Sequence, residues 1–193
     1  MIKAAEHGDV EAVKTLLRQD AAVSLKTGAL LLAAMNGHAE IVRLLINNGA
    51  DIADDAGSVA MVLAVMNDHA DIVILLIEKG VDIDGRSEID GGNTALIRAA
   101  ISDRVEIARL LLEHGADLDI TGSSGNTALA CAVERGYPEM AQLLQDETDR
   151  RAEQKAVAAA AEEQQMLHTT ATLKQQRLKE MSQRLKPKFG PAP

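Results

Sequence analysis

Aromatic residues are nearly absent from this 193-residue chain: Tyr137 and Phe189 stand alone, and there is no Trp. Stacking nucleic-acid bases or caging a cationic ligand needs aromatic faces, so the composition argues against both. A single cysteine, Cys131, provides no disulfide framework and fits a reducing compartment. No apolar run approaches the ~20 residues that a membrane span requires. Met1 leads directly into patterned sequence, so no signal peptide is expected. The expectation is a soluble cytoplasmic protein that contacts neither membrane nor nucleic acid.

What the chain has instead is aliphatic sequence, 47% apolar overall, arranged in a returning phrase. It reads NGHAEIVRLLINNGAD at Asn36–Asp51, NDHADIVILLIEKGVD at Asn67–Asp82 and SDRVEIARLLLEHGAD at Ser102–Asp117. An opening copy starts at His7 and a closing one at Arg135. Steps between equivalent loop residues (Gly8, Gly37, Asp68, Asp103 and Gly136) are 29, 31, 35 and 33 residues. Such self-similarity marks a solenoid, in which stacked units build the core that no single unit could build.

Each copy has a wide apolar face, as in Ile41, Val42, Leu44, Leu45 and Ile46, with Glu40 and Arg43 off it. The helices before them are Ala-rich, over Ala29–Ala34, Ala60–Val65, Ala95–Ala100 and Ala128–Val133, and allow close approach of neighbours. Gly49, Gly80 and Gly115 suit left-handed C-terminal caps, and Thr94 and Thr127 suit N-caps.

With GNTAL at Gly92–Leu96 and again at Gly125–Leu129, the pattern closely resembles the ankyrin repeat, about five copies with the first and last atypical. The resemblance runs over roughly Met1–Leu144. It implies an all-α solenoid of β-turn plus helix-turn-helix units. The family's T-P-L-H signature is altered here: alanine replaces its proline at Ala29, Ala60, Ala95 and Ala128. Its histidine is replaced by Leu31, Val62, Ile97 and Ala130, and its threonine by Gly28 and Val59 in the earlier copies. Those copies are expected to be less rigid, without the hydrogen bonds that this histidine makes between repeats.

The array is expected to occupy residues 1–145, and a helical tail residues 146–193, ending in a Pro-rich flexible segment. From Glu139 to Lys186 there is neither Gly nor Pro. The tail is expected to be helical but interrupted, with weak points at Asp146–Asp149 and Thr169–Thr172. A heptad seam runs through Val157, Ala160, Gln164, Leu167, Ala171, Lys174, Leu178, Met181 and Leu185. The tail could cap the last repeat, dock a partner through Leu178, Met181 and Leu185, or remain a solvated appendage.

Residues 1–149 carry a balance of −14 and residues 150–193 one of +5, giving −9 in all. An acidic array repels nucleic acid and attracts basic partners, although the acidity could serve solubility alone.

No residue pattern carries catalytic chemistry, so the reading is a non-enzymatic protein without cofactor or metal. His38 and His69 occupy a loop position where ankyrin repeats commonly carry a structural histidine. Cys131 reads as a small buried side chain. Asp82–Asp90 superficially resembles a calcium loop, but Arg86 stands where an oxygen is needed.

By the resemblance, a partner meets the exposed side of the first helices and the β-turn tips. The first set is Glu6, His7, Met35, Asn36, Met66, Asn67, Ile101, Ser102, Glu134 and Arg135. Tip residues are Asp54, Asp55 and Ser58 in one copy, and Asp84, Arg86, Glu88, Asp90 and Asn93 in the next, where the connection is two residues longer. The expected function is binding of a protein partner, basic or with a basic rim, as a monomer or within a hetero-complex. An inhibitor or immunity-type protein masking a basic enzyme is one alternative. A structural adaptor that joins a larger assembly through its tail is another.

Overall fold

The computed structural model describes residues 1–19 and 21–184, and leaves the side chains of Asp54 and residues 182–184 undescribed. Leu185 and the Pro-rich end therefore lie outside the described residues. By contact the chain divides into two compact units, Met1–Thr148 and Asp149–Pro193. The described part of each is taken in turn.

The first unit is built from helix pairs: α1 (Ile2–Glu6) with α2 (Val10–Leu17), α3 (Val23–Met35) with α4 (Ala39–Asn47), and α5 (Asp54–Met66) with α6 (Ala70–Glu78). The pairs α7 (Ala95–Ile101) with α8 (Val105–Glu113), and α9 (Ala128–Arg135) with the start of α10 (Pro138–Arg184), complete the series. First helices stack in the order α1, α3, α5, α7, α9, and second helices in the order α2, α4, α6, α8. The shared core is aliphatic, with Leu30, Ile41, Leu45, Ile72, Leu76, Ile107 and Leu111 fully buried. Alanines at the contacts (Ala29, Ala33, Ala60, Ala64, Ala99 and Ala132) are buried too, so neighbouring backbones approach closely. Met140 and Leu144, in the first turns of α10, extend this core. The left-handed C-caps appear as expected, with φ of 82°, 81° and 91° at Gly49, Gly80 and Gly115.

Two features differ from the sequence expectation. Helices α3 and α5 begin at Val23 and Asp54 rather than at Ala29 and Ala60, whereas α7 and α9 begin at Ala95 and Ala128 as expected. The reason lies in the caps. Thr94 Oγ1 accepts from Ile97 N (3.4 Å) and Thr127 Oγ1 from Ala130 N (3.3 Å), fixing each start. Gly28 and Val59 have no such oxygen, so the helix continues towards the N-terminus until Ala22 and Ala53. Gly57 sits within α5 where a Cβ would collide with the Ile52 carbonyl oxygen, so only glycine permits this turn of helix. Consequently Asp54, Asp55 and Ser58 do not form a fingertip; they belong to the start of α5, and Ser58 is buried.

The second difference is α10, which runs without a break from Pro138 to Arg184. At the expected weak points the threonine hydroxyls turn inward. Thr148, Thr169, Thr170 and Thr172 each donate to the carbonyl four residues earlier, at 2.8–2.9 Å. This back-bonding satisfies the hydroxyl without opening the helix. In the second unit every residue from Ala152 to Met181 is exposed.

Candidate partner-binding surface

The loops between helices of a pair are tied from one repeat to the next. His38 Nε2 lies 3.1 Å from the Glu6 carbonyl, and His69 Nε2 lies 3.1 Å from the Met35 carbonyl. Each ring packs on the left-handed glycine of the preceding repeat: a Cβ on Gly8 or Gly37 would meet it at 2.7–2.8 Å. The next junction replaces both members. Asp68 takes the left-handed conformation (φ 65°) and pairs at 3.3 Å with Arg104, whose Nη2 also donates to the Met66 carbonyl at 3.4 Å. Inter-repeat hydrogen bonds thus survive the loss of the signature histidine, carried by His38, His69 and Arg104.

This ladder positions the ends of the first helices. Met66 is exposed, while Met35 and Ile101 are half-buried, so the expected row of apolar side chains is only partly open to a partner. Asn36 and Asn67 donate their side-chain amides to the carbonyls of Leu32 (2.8 Å) and Leu63 (2.9 Å), closing their own helix ends. Ser102 is half-buried beside them.

The long finger between α6 and α7 closes through an antiparallel bridge between Ser87 and Asn93, around a 3-10 turn at Glu88–Asp90. Most of its polar side chains are engaged in holding the array. Arg86 Nη1 donates to the Thr121 carbonyl (2.7 Å) and to that of Gly92 (3.1 Å). Asp84 accepts from Asp117 N (2.9 Å), and Asp55 accepts from Glu88 N (3.2 Å). Asp82 accepts from Asp84 N (3.0 Å), so within the calcium-like stretch the carboxylates of Asp82 and Asp84 are each turned onto a backbone donor. Asp90 forms a bidentate pair with Arg98, its Oδ2 accepting from Nε at 2.7 Å, and the Asp90 side chain is only 7% exposed. Asn93 donates to the Asp90 carbonyl at 2.8 Å.

Between this finger and the next lies a cavity of about 500 Å³. Asp90, Asn93, Ile101, Glu134 and Arg135, expected separately from the palm and the tips, converge on it. Ile89, Arg98 and Cys131 complete the apolar and basic parts of its wall, and Ile89 is 61% exposed. Sequence reasoning misses Ile89, because its side chain reads as part of an acidic stretch until the 3-10 turn presents it outward. Asn126 donates to Glu134 at 3.1 Å. With two acids and two arginines on its wall, the cavity is close to neutral within a strongly acidic array. Burial, reinforced by Glu134, raises the Cys131 thiol above its ordinary pKa and keeps it protonated. The tail residues Leu178 and Met181 are exposed on α10 in the second unit.

A family model described as Ankyrin repeats (3 copies) matches residues 1–87 and 85–156. The chain belongs to the ankyrin-repeat family, whose members are typically non-catalytic protein-interaction modules. Among curated proteins, none matches it significantly. Among the described residues, no helix is long and apolar enough to cross a membrane.

Proposed function

We propose that this array holds a protein partner on the concave side of its last repeats, anchored in the cavity between the fingers before α7 and α9. The observation that carries the reading is the convergence of Asp90, Asn93, Ile101, Glu134 and Arg135 with exposed Ile89 on one cavity of about 500 Å³. A volume of this size takes one or two side chains of a partner. Ile89 and Ile101 offer an apolar floor, and Glu134 and Arg135 give orientation. The surrounding array carries a balance of −14 over residues 1–149. That charge favours a partner with a basic rim, whose approach it steers, while the nearly neutral cavity supplies fit. Exposed Met66 extends the surface towards the earlier repeats. The single buried thiol of Cys131 suits a reducing, cytoplasmic setting.

The test is affinity for a partner captured from native extract, compared across variants with unchanged helical content. Ile89→Asp and Arg135→Glu are expected to weaken binding at least tenfold, and Met66→Glu by severalfold. Wild-type affinity in all three would overturn the placement.

A further inference from the structure

The exposed face of the tail helix has a pattern that specifies its own partner. Val157, Leu167, Leu178 and Met181 are each more than half exposed. They share one helix face with Ala160, Gln164, Ala171 and Lys174, at alternating intervals of three and four residues. Followed outward from Thr169, this seam is complementary to its own reverse. Val157 stands opposite Met181, Ala160 opposite Leu178, Gln164 opposite Lys174, and Leu167 opposite Ala171. Each small side chain meets a large one, and the single cation in the seam meets a neutral amide.

Parallel pairing of two copies would do the opposite. Lys174 would face Lys174, and Ala160 and Ala171 would each face themselves, leaving like charge and voids in the seam. Flanking charges make the same choice. In the antiparallel register Glu163 of one copy lies beside Arg177 of the other, and symmetry forms that pair twice. Close to the axis the charges are divided in keeping with this: Glu162 and Glu163 lie before Thr169, and Lys174 and Arg177 lie after it.

We propose that the tail helix pairs antiparallel with the same helix of a second copy of this chain, with the two-fold axis at Thr169. The assembly carries two ankyrin arrays, so a partner with two binding epitopes gains avidity without any new contact. This pairing does not depend on the cavity between the fingers binding anything.

Sedimentation of the full-length chain at about 100 μM should give twice the 20.5 kDa chain mass. A monomer at that concentration overturns the proposal. Glu163→Arg and Arg177→Glu should each raise the dimer dissociation constant about tenfold, because each disrupts both symmetric pairs. The double variant restores the opposite charges and should recover most of the loss; a double variant weaker than either single one contradicts the register. Spin labels at Glu153, 16 residues from the axis, should sit about 48 Å apart at 1.5 Å per residue. A short separation there would mean parallel pairing and would also overturn the proposal.

Discussion

The second and third repeats and the fourth and fifth solve the same problem with different local structure. In the later pair a threonine starts the first helix and a glycine-containing finger precedes it. In the earlier pair the same segment is helix: α3 and α5 have 13 residues each, against 7 in α7 and 8 in α9. The stacking core continues through both, since the Ala-rich turns that touch the neighbours are common to all four. A repeat can therefore exchange its finger for helix without breaking the stack, but it gives up the loop that shapes a cavity. The cavity of about 500 Å³ lies between the two fingers that remain.

This contrast can be broken in stages. The largest effect is expected where the finger is fastened. Asp90→Ala leaves the Arg98 guanidinium, 17% exposed, without its carboxylate. It should cost about 3 kcal/mol in chemical denaturation and enlarge the cavity. In the helical version the corresponding weak point is Gly57. Gly57→Ala pushes a methyl against the Ile52 carbonyl and Val81, and should cost about 2 kcal/mol, a loss that thermal unfolding will register. Thr94→Ala removes the side-chain cap alone, for about 1 kcal/mol. It should also let amide exchange quicken in the Asn93–Ile97 turn. If Thr94→Ala is silent, the cap does not set where the helix begins.

A smaller effect sharpens the comparison between junctions. Asp68→Gly with Arg104→His rebuilds the glycine–histidine contact found at Gly8–His38 and Gly37–His69. Removing the strained φ of 65° should make the double variant more stable by about 0.5 kcal/mol. The smallest effect concerns Cys131. Its folded pKa is raised, so the neutral thiol is the form favoured by folding. That contribution is complete below the unfolded pKa and is lost as pH rises through the folded one. Thiol alkylation in the native state should accordingly stay slow at pH 8 and accelerate sharply in denaturant.

Much of the fold was legible because it is periodic. Ile41, Ile72 and Ile107 hold the same position on the apolar face of successive second helices, recur in step with the glycine caps, and are all fully buried. The helical starts of α3 and α5 were not legible, although the missing threonines at Gly28 and Val59 marked the place. Sequence showed that a cap was lost; it did not show that Ala22 and Ala53 would become the new ends. The candidate surface was legible by residue type rather than by role. Asp84, Arg86 and Asp90 read as free tips, but Asp84 and Arg86 are fastened by long-range bonds to Asp117 and Thr121, and Asp90 pairs with Arg98 on the following helix, which the sequence pattern does not reveal. Ile89 needed the 3-10 turn before it became a surface residue. At the suspected breaks in α10 the threonine hydroxyls turn onto carbonyls four residues earlier and leave the helix continuous, an outcome that propensity alone does not show.

The most direct test of the central claim compares two full-length variants for capture of a native partner. Ile89→Asp alters the finger cavity, and Leu167→Glu with Leu178→Glu alters the tail face. The account predicts that the cavity variant loses the partner while the tail variant retains it through a single array, with lower avidity. A partner kept by the cavity variant and lost by the tail variant would contradict the account and place recognition on α10.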